Sequence, residues 1–129
     1  MDEHEFNAWC ASVLGYYVKQ SEPPAAMAGL YFLFNLNDVL VSGAFGKTEA
    51  DAWRSGGFHF FTSLDALHNV EMVVITDLGL KDRLGEVLHR ICGESWGALD
   101  AEWAHIGHRK EALWELKDEI DKARKEKSK

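Results

Sequence analysis

An all-α fold, a single compact bundle of about five or six helices, is what three features of this sequence predict. Apolar residues recur at three- and four-residue spacing through most of the 129 positions. Asp, Thr or Ser stands ahead of several of these stretches as a helix cap, and glycine follows others as a stop. Five Trp, seven Phe and three Tyr supply enough large side chains to build a core without a metal or a disulfide. The alternative is an α+β fold with a short strand around Val73–Thr76, where four β-branched residues stand in a row.

Asp2 caps a first helix that runs to about Gln20, with Phe6, Trp9, Cys10, Val13, Tyr16 and Tyr17 on one stripe. Pro23 and Pro24 suit the first turn of a second helix carrying Met27, Leu30, Tyr31, Phe34 and Val39, which Ser42-Gly43 ends. Aromatic and β-branched residues dominate there, so a strand is the competing reading. Thr48 opens a capping box with Asp51 and starts a short helix through Trp53, broken by Arg54-Ser55-Gly56-Gly57. Ser63 caps a helix over Leu64–Leu78, with Leu67, Val70, Val74 and Leu78 inward and Gly79 as its stop. Lys81–Cys92 is amphipathic, with Leu84, Val87, Leu88 and Ile91 on one face and Gly93 behind it. A last helix spans about Leu99–Lys125, offering Trp103, Ile106, Leu113, Leu116 and Ile120 to the core. Residues 1–121 form one helical domain on this reading, and 122–129 a basic, frayed C-terminal tail.

Composition narrows the function classes. The acidic start is unlike a signal peptide, and the longest apolar run, about Met27–Leu36, is too short to span a bilayer. Cys10 and Cys92 make no disulfide framework, so a reducing cytoplasm is the expected location. Formal charge is −7, but Lys122–Lys129 holds five Lys/Arg against one Glu, which leaves residues 1–121 at about −11. Such a body repels nucleic acid and attracts basic proteins, including those that hold DNA.

No catalytic constellation stands out, and nothing in the sequence asks for a cofactor. Gly56-Gly57 precedes aromatics, not Lys and Ser/Thr, so it is a tight turn and no phosphate loop. His59, between aromatics, reads as a packed histidine. Two pairs of ligand type, His89 with Cys92 and His105 with His108, have chelating i, i+3 spacing. They sit inside expected helices, where zinc knuckles do not form, so structural histidines are the plainer reading. The charged feature with a mechanism is on the last helix. Glu111, Glu115 and Glu119 repeat every four residues, with Asp118 beside them and Asp100 and Glu102 upstream. Carboxylates spaced about 6 Å apart along one face can imitate a phosphate backbone.

From Ser55 to about Glu119 the sequence resembles the bacterial DNA-mimic-protein family. Gly56-Gly57-Phe58-His59-Phe60-Phe61 is similar to that family's double glycine followed by aromatics. Leu67, Val74 and Leu78-Gly79-Leu80, then Leu84, Val87-Leu88 and Ile91, are similar to its paired helices joined at a glycine. Leu99-Asp100 with Trp103 resembles its late leucine-aspartate. Ser55 and Thr62-Ser63 stand where the family carries asparagine. The resemblance implies an all-α fold and, from the characterised member, binding to a DNA-binding protein in place of DNA. Gly56, Gly57, Phe58, Phe60 and Phe61 then serve folding. The expected function is therefore an acidic protein-interaction module, with an immunity-type or anti-defence inhibitor as the alternative and a small His/Cys metalloprotein as the third. Trp96 and Trp114 are the candidates for a homodimer face.

Overall fold

A computed structural model describes residues 2–20, 29–92 and 106–127. The chain packs as two compact units, residues 1–61 and 62–129. The architecture is mixed: six α-helices and a three-stranded antiparallel sheet among the described residues. The all-α expectation is thus corrected to α+β. Its alternative had the class but not the place, since the strands lie in the first unit and Val73–Asp77 is a π-helical turn.

Helix α1 spans Glu3–Val13, capped by Asp2, whose side chain accepts the Glu5 N–H. It does not continue to Gln20. The Gly15 N–H bonds Ser12 and the Tyr16 N–H bonds Ala11, with Gly15 at φ +109°, which is a Schellman stop. Strand β1, Tyr17–Gln20, follows at once. The helix expected over Met27–Val39 is instead β2, Tyr31–Phe34, and the turn into β3, Leu40–Gly46. Tyr31-Phe32-Leu33-Phe34 has side chains that fill a pleated surface better than a helical stripe. Ser42-Gly43 lies inside β3 and ends nothing. Sheet order is β1-β2-β3, with Tyr17 opposite Phe34, Phe32 opposite Phe45, and a register shift between Phe32 and Phe34.

Helix α2, Glu49–Ser55, starts at Thr48, which accepts the Asp51 N–H, and packs against all three strands. Phe6, Cys10, Ala11, Leu33, Ala44, Ala52 and Phe60 form the buried interior of this unit. The double glycine sits where a side chain has no room or no suitable backbone. A Cβ on Gly56 would lie 2.7 Å from Leu33 Cδ2, and Gly57 has φ +69°. Behind it, Phe58 meets Tyr16 and Phe60, and Phe61 meets Phe6, at centroid distances of 5.0, 5.7 and 6.1 Å.

The second unit is helical among its described residues. Ser63 caps α3, Leu64–Met72, by accepting the Ala66 N–H. The β-branched run Val73–Thr76 widens the helix into a π turn and does not form a strand. Val74 stays fully buried in line with Leu67 and Val70. Gly79, at φ +67°, separates it from α4, Lys81–Cys92. The final helix is two segments, α5 over Ile106–Glu115 and α6 over Lys117–Lys127, with Leu116 outside both. Leu113, Leu116 and Ile120 are nonetheless buried with Leu84, Val87 and Leu88. Pro23, Pro24, Met27, Gly93, Trp96, Leu99, Asp100, Glu102, Trp103 and His105 lie outside the described residues.

Candidate functional site

The carboxylate row on the last helix has acquired partners that no local spacing announced. Arg83, on α4, holds Glu119 through two bonds, Nε to Oε2 at 3.1 Å and Nη2 to Oε1 at 2.7 Å. That fork keeps the Glu119 carboxyl below the ordinary carboxylate range. Arg90, one to two turns along α4, pairs with Glu115. The row also crosses Leu116, so Glu111 and Glu115 lie on α5 while Asp118 and Glu119 lie on α6. Glu111 and Asp118 are exposed, and among the described residues neither enters an ion pair. Two of the four carboxylates therefore tie helices together and two face solvent.

Deeper in the same unit is an ion pair unforeseen from sequence. Glu71, only 2% exposed, receives Arg109 Nη1 on Oε2 at 2.7 Å. Its Oε1 is buried with no hydrogen-bond partner and lies 3.6 Å from His68 Nδ1. The pair joins α3 to α5.

The ligand-type residues do not assemble into a described site. His89 and His108 are half-buried on α4 and α5, while His105 and the Cys92 side chain lie outside what is described. Among the described residues no group of three or more His, Cys, Asp or Glu comes together to hold a metal. Cys10 is fully buried, and burial pushes its thiol pKa up, away from nucleophilic use. His59 is exposed, not packed as expected. Trp114 is half-buried, with Lys117 Nζ 5.9 Å from its ring centroid.

The surface that sequence reading missed is the outer face of the sheet. Leu33 and Ala44 point inward, so strand alternation sends Phe32, Phe34 and Phe45 to the other side, with Tyr17 and Leu40 opposite Phe34. Tyr17 and Phe34 stack at 5.2 Å, and Phe32 lies 6.1 Å from Phe45. Phe45 is 47% exposed and Leu40 50%, while Leu36 and Val39 in the β2–β3 turn reach 61% and 56%. The turn that presents them is fixed. Asn35 Oδ1 accepts the N–H groups of Asn37 and Val39 at 2.9 and 3.1 Å. Asp38, at φ +62°, accepts the Tyr17 hydroxyl at 2.8 Å, and that bond raises the Tyr17 pKa. The available signal was the Asn35-Leu-Asn-Asp-Val39 stretch, a turn composition between two apolar runs.

No helix among the described residues is long and apolar enough to cross a membrane. No family model, curated protein or solved structure matches the chain. The resemblance to DNA-mimic proteins therefore rests on the quoted residues alone.

Proposed function

We propose that this chain is an acidic protein-interaction module whose docking face is the outer side of the sheet and whose partner is a basic protein. The observation that carries the reading is the exposure of Tyr17, Leu40 and Phe45 on the outer side of the sheet, with Leu36 and Val39 exposed in the adjoining β2–β3 turn. Exposed apolar clusters of this kind on soluble domains mark places where another surface is meant to sit. Charge selects what sits there. All six described carboxylates of residues 1–61, Asp2, Glu3, Glu5, Asp38, Glu49 and Asp51, are exposed, against Lys19, Lys47 and Arg54. A net negative field steers positively charged partners and speeds their encounter.

DNA mimicry is the narrower form of this proposal. Glu111 and Asp118 remain for it, while Glu115 and Glu119 are already neutralised by Arg90 and Arg83. An inhibitor of a nuclease or toxin would use the same chemistry against a different basic surface. The test is affinity capture from host lysate at about 50 mM salt, followed by purification of the recovered protein and titration across a salt series. A basic partner whose binding weakens with salt, and which duplex DNA displaces, is the expected result of mimicry. A partner indifferent to DNA leaves the docking module and removes mimicry. An acidic partner, or binding unchanged by salt, contradicts the charge-selection part outright.

A further inference from the structure

A cleft of about 220 Å³ opens in the first unit beside the double glycine. Its wall is built from the first two turns of α1, the end of α2, and the segment Gly57–His59. Asn7 is the informative residue. It is 8% exposed, and its Oδ1 accepts the Phe61 N–H at 2.9 Å. A backbone N–H requires an acceptor, so that bond fixes which end of the carboxamide is oxygen. The Nδ2 end is left with no hydrogen-bond partner among the described residues, on a side chain that lines the cleft. Solvent reaches that amide through the cleft, so a ligand there can accept from it.

The other groups around it favour an acceptor of negative charge. Arg54 is exposed and, among the described residues, enters no ion pair. Its charge is also felt at Asp2, whose pKa is lowered chiefly by the Glu5 backbone N–H. His4 and His59 add imidazoles that can each donate an N–H. Glu3 is the one carboxylate in the wall. Trp53 and Phe58 supply flat apolar sides, with their rings 6.3 Å apart. The volume is below the roughly 300–1,000 Å³ of sites for drug-sized molecules.

The geometry points to a binding site for a small organic carboxylate with a planar body, its carboxylate on Arg54 and Asn7 Nδ2 and its ring against Trp53 and Phe58. A carboxylate takes a guanidinium and an amide N–H together, whereas a neutral amide or alcohol satisfies only one of them well. Glu3 disfavours ligands of higher negative charge and favours those that also carry a donor.

The test is an NMR titration of the full chain with sodium benzoate, with benzamide and inorganic phosphate as separate probes. Benzoate is expected to shift the Asn7 carboxamide, the Arg54 Nε–H and the Trp53 indole signals together, saturating with a Kd on the order of millimolar. Asn7→Asp keeps the acceptor for Phe61 but replaces the carboxamide donor with an acceptor, and should weaken benzoate at least tenfold. Arg54→Gln, an exposed change that leaves the fold alone, should do the same and carries the test if Asn7→Asp unfolds. Lys19→Gln, on the sheet, should bind as wild type does. Absence of saturable shifts with benzoate to about 20 mM, some tenfold above that Kd, overturns the site. So does binding undiminished by Arg54→Gln, equal binding of benzamide, or saturation by phosphate alone.

Discussion

The two units of this protein treat their charges in opposite ways. Every ion pair among the described residues lies in residues 62–129, where Arg83, Arg90, Arg109, Lys117 and Arg124 each meet a carboxylate. In residues 1–61 the described carboxylates are all exposed and none is in an ion pair, while apolar side chains stand in solvent on the sheet. The contrast teaches that a charged pattern and an accessible surface are different things. The carboxylate row looks most like a binding face in sequence, yet half of it joins α4 to α5 and α6. The segment Tyr31–Phe34 is apolar throughout, yet only Leu33 is fully buried and Phe32 and Phe34 face the other side of the sheet.

The largest effect is expected at the buried pair. Arg109→Met removes the guanidinium from the buried Glu71 carboxyl and leaves only His68 beside it, and should cost about 3–5 kcal/mol in urea denaturation. Replacing both, with Glu71→Leu added, should recover most of that loss, because no buried charge remains. A loss below about 1 kcal/mol for Arg109→Met, within what exposed pairs contribute, would mean that the pair is not buried in solution. Next in size is Gly56→Ala in the other unit. Its Cβ would press on Leu33 and Phe58, and overpacking of this kind costs about 1–3 kcal/mol.

Smaller effects sharpen the contrast. Glu119→Gln should lower the urea midpoint slightly at neutral pH, and the deficit should shrink in high salt, as for other exposed pairs. Because Arg83 depresses the folded-state pKa of Glu119, the stabilisation is present above the unfolded carboxylate value and is lost as pH falls through the folded one. Wild type and Glu119→Gln should therefore converge below the ordinary carboxylate range. A constant gap down to the lowest pH would show that the fork is not formed. Leu40→Ser with Phe45→Ser should change stability least, by under about 1 kcal/mol, since both side chains are already half in water.

Much of the second unit was legible because its signals are local. Ser63 caps where capping chemistry says it should, and α4 occupies Lys81–Cys92 as its apolar spacing indicates. Leu67, Val70 and Val74 fall inward for the same reason. The first unit misled because its apolar stripe runs on past Gly15 into Tyr16 and Tyr17, which hides a helix stop inside a continuous helical period. Phe32 and Phe34 face outward while Leu33 faces inward, so β2 shows no polar alternation for a period-two reading to find. The arginine partners of Glu115 and Glu119 lie 25 and 36 residues away in sequence, where pattern reading within a helix has no reach.

On the proposal above, a partner docks on the sheet face more than on the carboxylate row. The direct measurement is the affinity of the purified, captured partner for three forms of this chain: wild type, Leu40→Ser/Phe45→Ser, and Glu111→Lys/Asp118→Lys. At least a hundredfold loss is expected for the sheet variant, equivalent to about 2.7 kcal/mol. No more than a severalfold, salt-dependent loss is expected for the row variant. Undiminished binding by a folded sheet variant, with abolition by the row variant, would contradict the claim and return the function to Glu111 and Asp118.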